Sequence, residues 1–255
     1  MFRLEFFSSA ACDPSGFGEG ETFLGSTMVM TDGSCNASFG PLMFAISNAH
    51  LFVTATATDP SNNTSEFSRC ASAHAASRKA HGAAGTFDVD LPLTGTPGIE
   101  CRAGGATNDY TMVVTFPGNV IVSGNPQAQV TLGTATIGSG GVSNGGMVTV
   151  SGNIVTIPLT NVANVQTINV RLNGVNSASA DAVSAADVTI PMSILVGDVN
   201  GNAAVNASDV SLTKSQVGQP VSGSNFREDV NANGTINAGD VALVKAKVGT
   251  SLPPQ

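Results

Sequence analysis

The chain has 255 residues and a formal net charge of −8 at pH 7, with 11% charged residues, no Trp and one Tyr. It lacks a Lys/Arg cluster and therefore a basic patch for phosphate contacts, which argues against sequence-general nucleic-acid binding. No run of 18 apolar residues occurs, so no helical membrane span is expected. The Gly-, Ser-, Thr-, Asn- and Val-rich make-up is that of a mainly β, turn-rich extracellular or cell-surface protein. Met1 leads directly into FRLEFF, which reads as a strand. No signal peptide is visible, and the chain is expected to be a fragment with its natural amino terminus further upstream.

Residues 1–72 read as a first β-sandwich. FRLEFF sets Phe2, Leu4 and Phe6 against Arg3, Glu5 and Phe7. A turn-rich stretch, CDPSGFGEGE, precedes a strand over Thr22–Thr31, and another is expected around Ser38–Phe39. LFVTATATD then alternates Leu51, Val53, Ala55 and Ala57 against Phe52, Thr54, Thr56 and Thr58, the period-2 pattern of a sheet with one buried face. Four cysteines (Cys12, Cys35, Cys70, Cys101) allow three full pairings, and none has the Cys-x-x-Cys spacing of a zinc or redox site. A disulfide between Cys12 and Cys70, near the two ends of this unit, is the favoured one. It would stabilise the unit by about 2–4 kcal/mol and leave Cys35 and Cys101 free. The stretches EFFSSAACDPSGFGEGETFLGS and ATATDPSNNTSEFSRC resemble an immunoglobulin-like domain of large bacterial secreted proteins, which implies a spacer or adhesion role.

Residues 73–85, within ASAHAASRKAHGAAG, are small and polar with no periodic apolar face and read as a linker. His74 and His81 are expected to be solvated there, and His50 is isolated. Residues 86–195 read as a second β-sandwich. YTMVVTF places Tyr110, Met112, Val114 and Phe116 on one face, and DVTIPMSILV aligns Val188, Ile190, Met192, Ile194 and Val196. Short strands separated by SGNP, GSGGVSNGG and VSGN favour a sandwich over a parallel sheet. GSGGVSNGG lacks the Lys-Ser/Thr of a phosphate loop and opens no helix, so it reads as a hairpin turn. The block from GIECRAGGATNDYTMVV to TIPMSILVGD resembles a β-sandwich found ahead of dockerin-like tails.

The remaining 60 residues repeat themselves. Asp198–Gly218 and Asp229–Gly249 align without gaps at an offset of 31, with 12 of 21 positions identical. Oxygen-bearing residues fall at positions 1, 3, 5, 9 and 12, and apolar ones follow at helical spacing, the pattern of a calcium loop feeding a helix. In the first loop Asp198, Asn200 and Asn202 would ligate through side chains. Ala204 would offer its carbonyl, Asn206 would act through water, and Asp209 would supply two oxygens. In the second loop Asp229, Asn231, Asn233, the Thr235 carbonyl, Asn237 and Asp240 take the same places. Two calcium ions are expected. Each loop carries only two carboxylates, so affinities fall toward roughly 10⁻⁴–10⁻³ M. The first site is expected to be weaker because position 6, a sharp turn, is Ala203 there and Gly234 in the second loop. Val210, Leu212 and Val217, mirrored by Val241, Leu243 and Val248 with Val244 added, give each helix an apolar stripe for mutual packing. Ser224–Glu228 reads as a short helical linker, and residues 251–255 as a tail.

GDVNGNAAVNASDVSLTK and EDVNANGTINAGDVALVK, with Asp at position 12 and no convincing amphipathic helix ahead of either loop, resemble type I dockerin repeats over residues 196–250. The resemblance implies a calcium-dependent docking and assembly module. Its partner would be a cohesin-like protein or the chain's own preceding domain. Dockerins often trail polysaccharide-degrading enzymes, so an alternative is the carboxy-terminal accessory region of a glycoside hydrolase. The chain itself is expected to be non-catalytic. Its three His residues offer no base beside a nucleophile, and Asp13, Glu19, Glu21, Asp88, Asp90, Glu100 and Asp109 fall mostly at turns and strand ends rather than as a pair across a cleft. The scarcity of Trp and Tyr leaves at most weak glycan binding through polar side chains. The expected architecture is mainly β: two immunoglobulin-like β-sandwiches followed by a small all-α calcium-loop domain.

Overall fold

The computed structural model describes residues 1–10, 12–13, 15, 17–37, 39, 52–116, 119–177 and 186–254. Ser38, His50 and Leu51, on which three of the expectations above rest, lie outside the described residues. The fold is mainly β, with two helices near the carboxy terminus among the described residues.

The first unit contains β1 (Phe2–Ser9), β2 (Thr22–Val29), β3 (Phe52–Thr58) and β4 (Ala71–Ser72). Among the described residues these form one antiparallel sheet in the order β2-β1-β3-β4. The face of β3 that is most buried is the Thr face, not the Val53/Ala55/Ala57 face expected from its alternation. Thr54, Thr56 and Thr58 are buried. Two of the hydroxyls are compensated inside by partners: Thr54 Oγ1 donates to the Glu19 carbonyl at 2.9 Å, and Thr58 Oγ1 meets Thr64 Oγ1 at 2.9 Å. Phe7, on the same face, packs edge-on against Phe67 at 5.4 Å. Cys12 and Cys70 are disulfide-bonded, Cys35 is an exposed free thiol and Cys101 a buried one.

A two-sheet sandwich follows. Its strands are β5 (His74–Ala80), β6 (Thr86–Leu91), β7 (Gly98–Glu100), β8 (Tyr110–Thr115), β9 (Val120–Val122), β10 (Ala128–Leu132), β11 (Thr136–Ser139), β12 (Val142–Ser143), β13 (Thr149–Ser151), β14 (Ile154–Thr160), β15 (Gln166–Ser177) and β16 (Ala186–Ile194). One sheet runs β12-β11-β14-β8-β5-β6, with β13 beside β14. The other runs β10-β15-β16-β7, with β9 beside β15. Met112 and Val114 of β8 and Val155, Ile157 and Leu159 of β14 share one core with Ile168, Val170 and Leu172 of β15 and Val188, Ile190, Met192 and Ile194 of β16. The period-2 spacing of these residues puts them all on inward faces. Each such side chain contributes about 1.5–3 kcal/mol on burial.

The structure corrects the linker expected at 73–85. Residues 74–80 are β5, paired to β6 on one side and β8 on the other. Ala75, Ala76 and Ser77 are buried, so this strand is enclosed on both faces. A strand enclosed that closely takes small side chains, which is why its sequence carries no large apolar residues to mark it. The turn from β5 to β6 is a short 3₁₀ segment, Gly82–Ala84.

The final unit holds α1 (Ala207–Gln216) and α2 (Ala238–Lys247). The helices pack on each other, though not along the whole expected stripe. Val241 and Val244 are buried, whereas Leu212, Val217 and Val248 are exposed. Ser224–Glu228, expected as a short helix, lies within a turn over residues 223–228. Leu195, Val196, Val199, Val205, Val230 and Val244 belong to the same hydrophobic cluster as the sandwich core. Backbone bonds cross the junction: Leu195 N–H to Glu100 O at 3.0 Å, Gly197 N–H to Cys101 O at 2.9 Å and Ala103 N–H to Val230 O at 2.7 Å.

Candidate metal centres

The two repeats fold into two loops with the same internal bonding. Position 1 is an aspartate whose carboxylate accepts backbone N–H groups of its own loop. Asp198 Oδ1 takes Asn202 at 3.0 Å and Oδ2 takes Ala203 at 2.9 Å, while Asp229 Oδ1 takes Asn233 at 3.1 Å and Oδ2 takes Gly234 at 2.8 Å. Position 3 turns back in the same way, Asn200 Oδ1 accepting from Asn202 N–H at 3.1 Å and Asn231 Oδ1 from Asn233 N–H at 3.0 Å. Position 5 accepts from position 7: Asn202 Oδ1 from Ala204 N–H at 3.0 Å and Asn233 Oδ1 from Thr235 N–H at 2.9 Å. These bonds fold each chain segment tightly around its side-chain oxygens.

The end of each loop is also the start of a helix. Asn206 and Asn237 are the N-caps, and the Oδ2 atoms of Asp209 and Asp240 accept from the N-cap N–H groups at 2.9 Å, completing a capping box. Asp209 and Asp240 also accept from the N–H of position 3, at 3.3 and 3.2 Å, so they close the loop back onto itself. The loops are tied to each other through position 8. Val205 and Ile236 are buried, Gly249 N–H donates to Val205 O at 2.9 Å, and Gly218 N–H donates to Ile236 O at 3.0 Å. Each loop's middle thus anchors the end of the other repeat's helix.

The backbone at the sharp turns differs from the simple expectation. Positions 4 and 6 both have positive φ in both loops: Gly201 (71°) and Ala203 (68°) in the first, Ala232 (56°) and Gly234 (91°) in the second. Each loop carries one alanine in the left-handed region, which costs of order 1–2 kcal/mol. Position 6 therefore does not by itself rank the two loops, because position 4 reverses the disadvantage.

The residues present fit a hard divalent cation. Every side-chain donor placed by the sequence pattern is oxygen, from carboxylate or amide. In each loop one carboxylate feels the charge of the other. Burial pushes the Asp198 carboxyl up, backbone N–H groups of Ala203 and Asn202 offset part of this, and the Asp209 charge raises it further. The Asp240 carboxyl is likewise raised by burial, with the Asp229 charge adding to it. A dication between them would relieve both costs. No three His, Cys, Asp or Glu side chains converge among the described residues. Each loop consequently depends on amide and carbonyl oxygens to complete a shell.

Several residues that shape this region have no counterpart among the sequence-level candidates. His81, expected to be solvated, is fully buried, and its Nδ1 lies 2.8 Å from Asp229 Oδ2. Its Nε2 faces Arg102 Nη1 at 3.1 Å. Arg102 is also fully buried. It pairs with Glu100 through Nε–Oε1 at 2.8 Å and Nη2–Oε2 at 2.7 Å, and donates to the Phe87 and Ser77 carbonyls. Burial alone would raise the Glu100 carboxyl, but hydrogen bonds and charge from Arg102, with Ser77, hold it below its ordinary value. Burial lowers the His81 pKa; the hydrogen bond to Asp229 opposes this and the Arg102 charge adds to it. Phe226 stacks on Phe87 at 5.4 Å and lies under the Arg102 guanidinium at 5.3 Å. Arg227 donates to the carbonyls of Val199, Asp198 and Ile99, binding the first loop to the sandwich through its backbone. One signal for this network was present in the sequence: Glu100 and Arg102, two residues apart beside a strand, share one face. His74, by contrast, is exposed, 3.3 Å from Asp90.

Residues 196–249 match the family model described as the dockerin type I domain. The carboxy-terminal unit is a dockerin domain, preceded by a β-rich region. Domains of this family generally bind calcium and dock with cohesins. No curated protein and no solved structure matches the chain. No helix among the described residues is long and apolar enough to cross a membrane.

Proposed function

We propose that this chain is a non-catalytic part of a secreted multidomain protein, in which a calcium-loaded dockerin domain docks a cohesin-type partner and the β-domains ahead of it hold that module at a fixed spacing. The observation that carries this reading is the near-identity of the two loops, whose carboxylate and amide oxygens are held by the same bonds at the same loop positions. Asp198, Asn200, Asn202, the Ala204 carbonyl, Asn206 and Asp209 would hold one ion. Asp229, Asn231, Asn233, the Thr235 carbonyl, Asn237 and Asp240 would hold the other. When bound, calcium supplies charge that neutralises each carboxylate pair and fixes each helix start. The docking face would include Ala207-Ser208 and Ala238-Gly239, all exposed at the two helix starts.

Support for a non-catalytic role comes from how the candidate acids are used. Asp88 is paired with Arg78 at 2.7 Å. Glu100 is sealed with Arg102. Asp109 accepts from Thr160 and from Gly140 N–H, organising the turn between β11 and β12.

Calorimetry with Ca²⁺ on the whole chain tests the reading. Uptake of two ions, loss of one by Asp240→Ala, and a larger fall in calcium-induced stability for Asp240→Ala than for Asp209→Ala are expected. Absence of any binding heat at millimolar Ca²⁺, on intact folded protein, would reject it.

A further inference from the structure

The two loops differ in what stands behind position 1. The hydrogen bonds to the Asp198 carboxylate come from its own loop. Asp229 has the equivalent pair and, in addition, the His81 ring, which belongs to the sandwich. The direction of that bond follows from its other end. The Arg102 guanidinium can only donate, so His81 Nε2 must accept, and the ring proton sits on Nδ1, aimed at Asp229 Oδ2. Both side chains are inaccessible to solvent, so water does not compete. The ring is itself fixed, edge-on to Phe87 at 5.3 Å and to Phe226 at 6.0 Å. Arg102, behind it, is locked to Glu100.

The backbones touch as well. A Cβ on Gly82 would fall 2.3 Å from Asn233 O, and a Cβ on Gly234 would fall 2.7 Å from His81 O. The β5–β6 turn therefore presses on position 5 and position 6 of the second loop, and both contact points require glycine.

From this juxtaposition we propose that His81 is an outer-shell positioning residue of the second calcium loop, so that the sandwich forms part of that site and makes it the tighter of the two. The inference rests on the calcium reading above. Oδ2 is held from two sides, by the Gly234 N–H of the loop and by His81 of the sandwich, and this restricts the carboxylate's rotation before the ion arrives. Partners of this kind are worth roughly 10–100-fold in metal affinity. Among the described residues the first loop has no side-chain donor of this kind on Asp198, and its tie to the sandwich runs through Arg227 and main-chain carbonyls.

The test is calorimetric titration of the full chain with Ca²⁺, comparing the parent with His81→Leu and His81→Asn. Leu fills comparable space without a donor, whereas Asn keeps an N–H close to where Nδ1 stood. The expected result is two unequal sites in the parent, with the tighter one weakened about 10–100-fold by His81→Leu, the weaker one unchanged, and most of the loss recovered in His81→Asn. Parent binding that His81→Leu leaves intact, or weakens equally at both sites, overturns the proposal while the calcium reading stands. A parent that takes up no calcium overturns both. A second measurement needs no variant: the His81 Nδ1–H resonance, followed by heteronuclear NMR in the unmodified chain, should shift as the tighter site fills. A resonance that stays fixed while calcium is taken up also overturns the proposal.

Discussion

Replacing Arg102 with Met removes the keystone between the sandwich and the helical unit. The guanidinium makes two bonds to Glu100, one each to the carbonyls of Ser77 and Phe87, and one to His81 Nε2, all without solvent access. Met fills much of the same volume but donates nothing. Glu100 would keep only the Ser77 hydroxyl and the backbone N–H of residue 102. Leaving one member of a buried ion pair uncompensated costs about 3–5 kcal/mol, a large share of the ~5–15 kcal/mol that holds a domain folded. At about 2–4 °C per kcal/mol for a unit of this size, the melting temperature should fall by roughly 6–20 °C. Thermal melting followed by circular dichroism measures the shift, and urea denaturation measures the free-energy loss. The double variant Glu100→Gln/Arg102→Met removes the stranded charge and should recover roughly 2 kcal/mol or more, since a buried pair contributes little net stability over its neutral replacement. A single variant within about 1 kcal/mol of the parent, or a double variant no better than the single, would refute the assigned role.

Alanine at either N-cap, Asn206 or Asn237, should cost about 1 kcal/mol each by urea denaturation in chelator, because both side of the capping box are present. A thiol reagent at pH 8 should modify exposed Cys35 quickly and leave Cys101 untouched until unfolding, since burial pushes the Cys101 thiol up to about 12. Glu100 sets an acid limit. Its folded-state pKa lies below the unfolded value of about 4.3, so its contribution is complete above that pH and is lost as the pH falls through the lower folded value. Stability measured from pH 6 to pH 3 should decline in that window, and Glu100→Gln should flatten the decline.

The mainly β character and the repeat at the carboxy terminus were legible because both depend on periodicity. Val188, Ile190, Met192 and Ile194 alternate in the sequence and point inward together. The loop oxygens recur at fixed spacing and fold alike. What escaped was whatever periodicity does not encode. β5 consists of Ala, Ser and charged residues, and a strand enclosed on both faces by close neighbours takes small side chains that look like linker. His81 stands 148 positions from Asp229, so no local pattern could connect them. Leu212 and Val217 fit a helical stripe yet lie exposed, because α1 buries Thr213 and Asp209 instead. The Asp at position 12 stood out in the repeat, but its bond to the N-cap needed the three-dimensional turn.

The passage from the last sandwich strand into the first loop spans only Leu195 to Gly197, and each of its N–H groups bonds back to the sandwich: Leu195 to Glu100 O, Val196 to Asn164 Oδ1 and Gly197 to Cys101 O. A connection so short and so firmly bonded leaves no swivel. Whatever docks on the helices inherits its heading from the sandwich, and pulling on one would load the other directly. The flexible reach that lets tethered modules search for partners does not come from this junction.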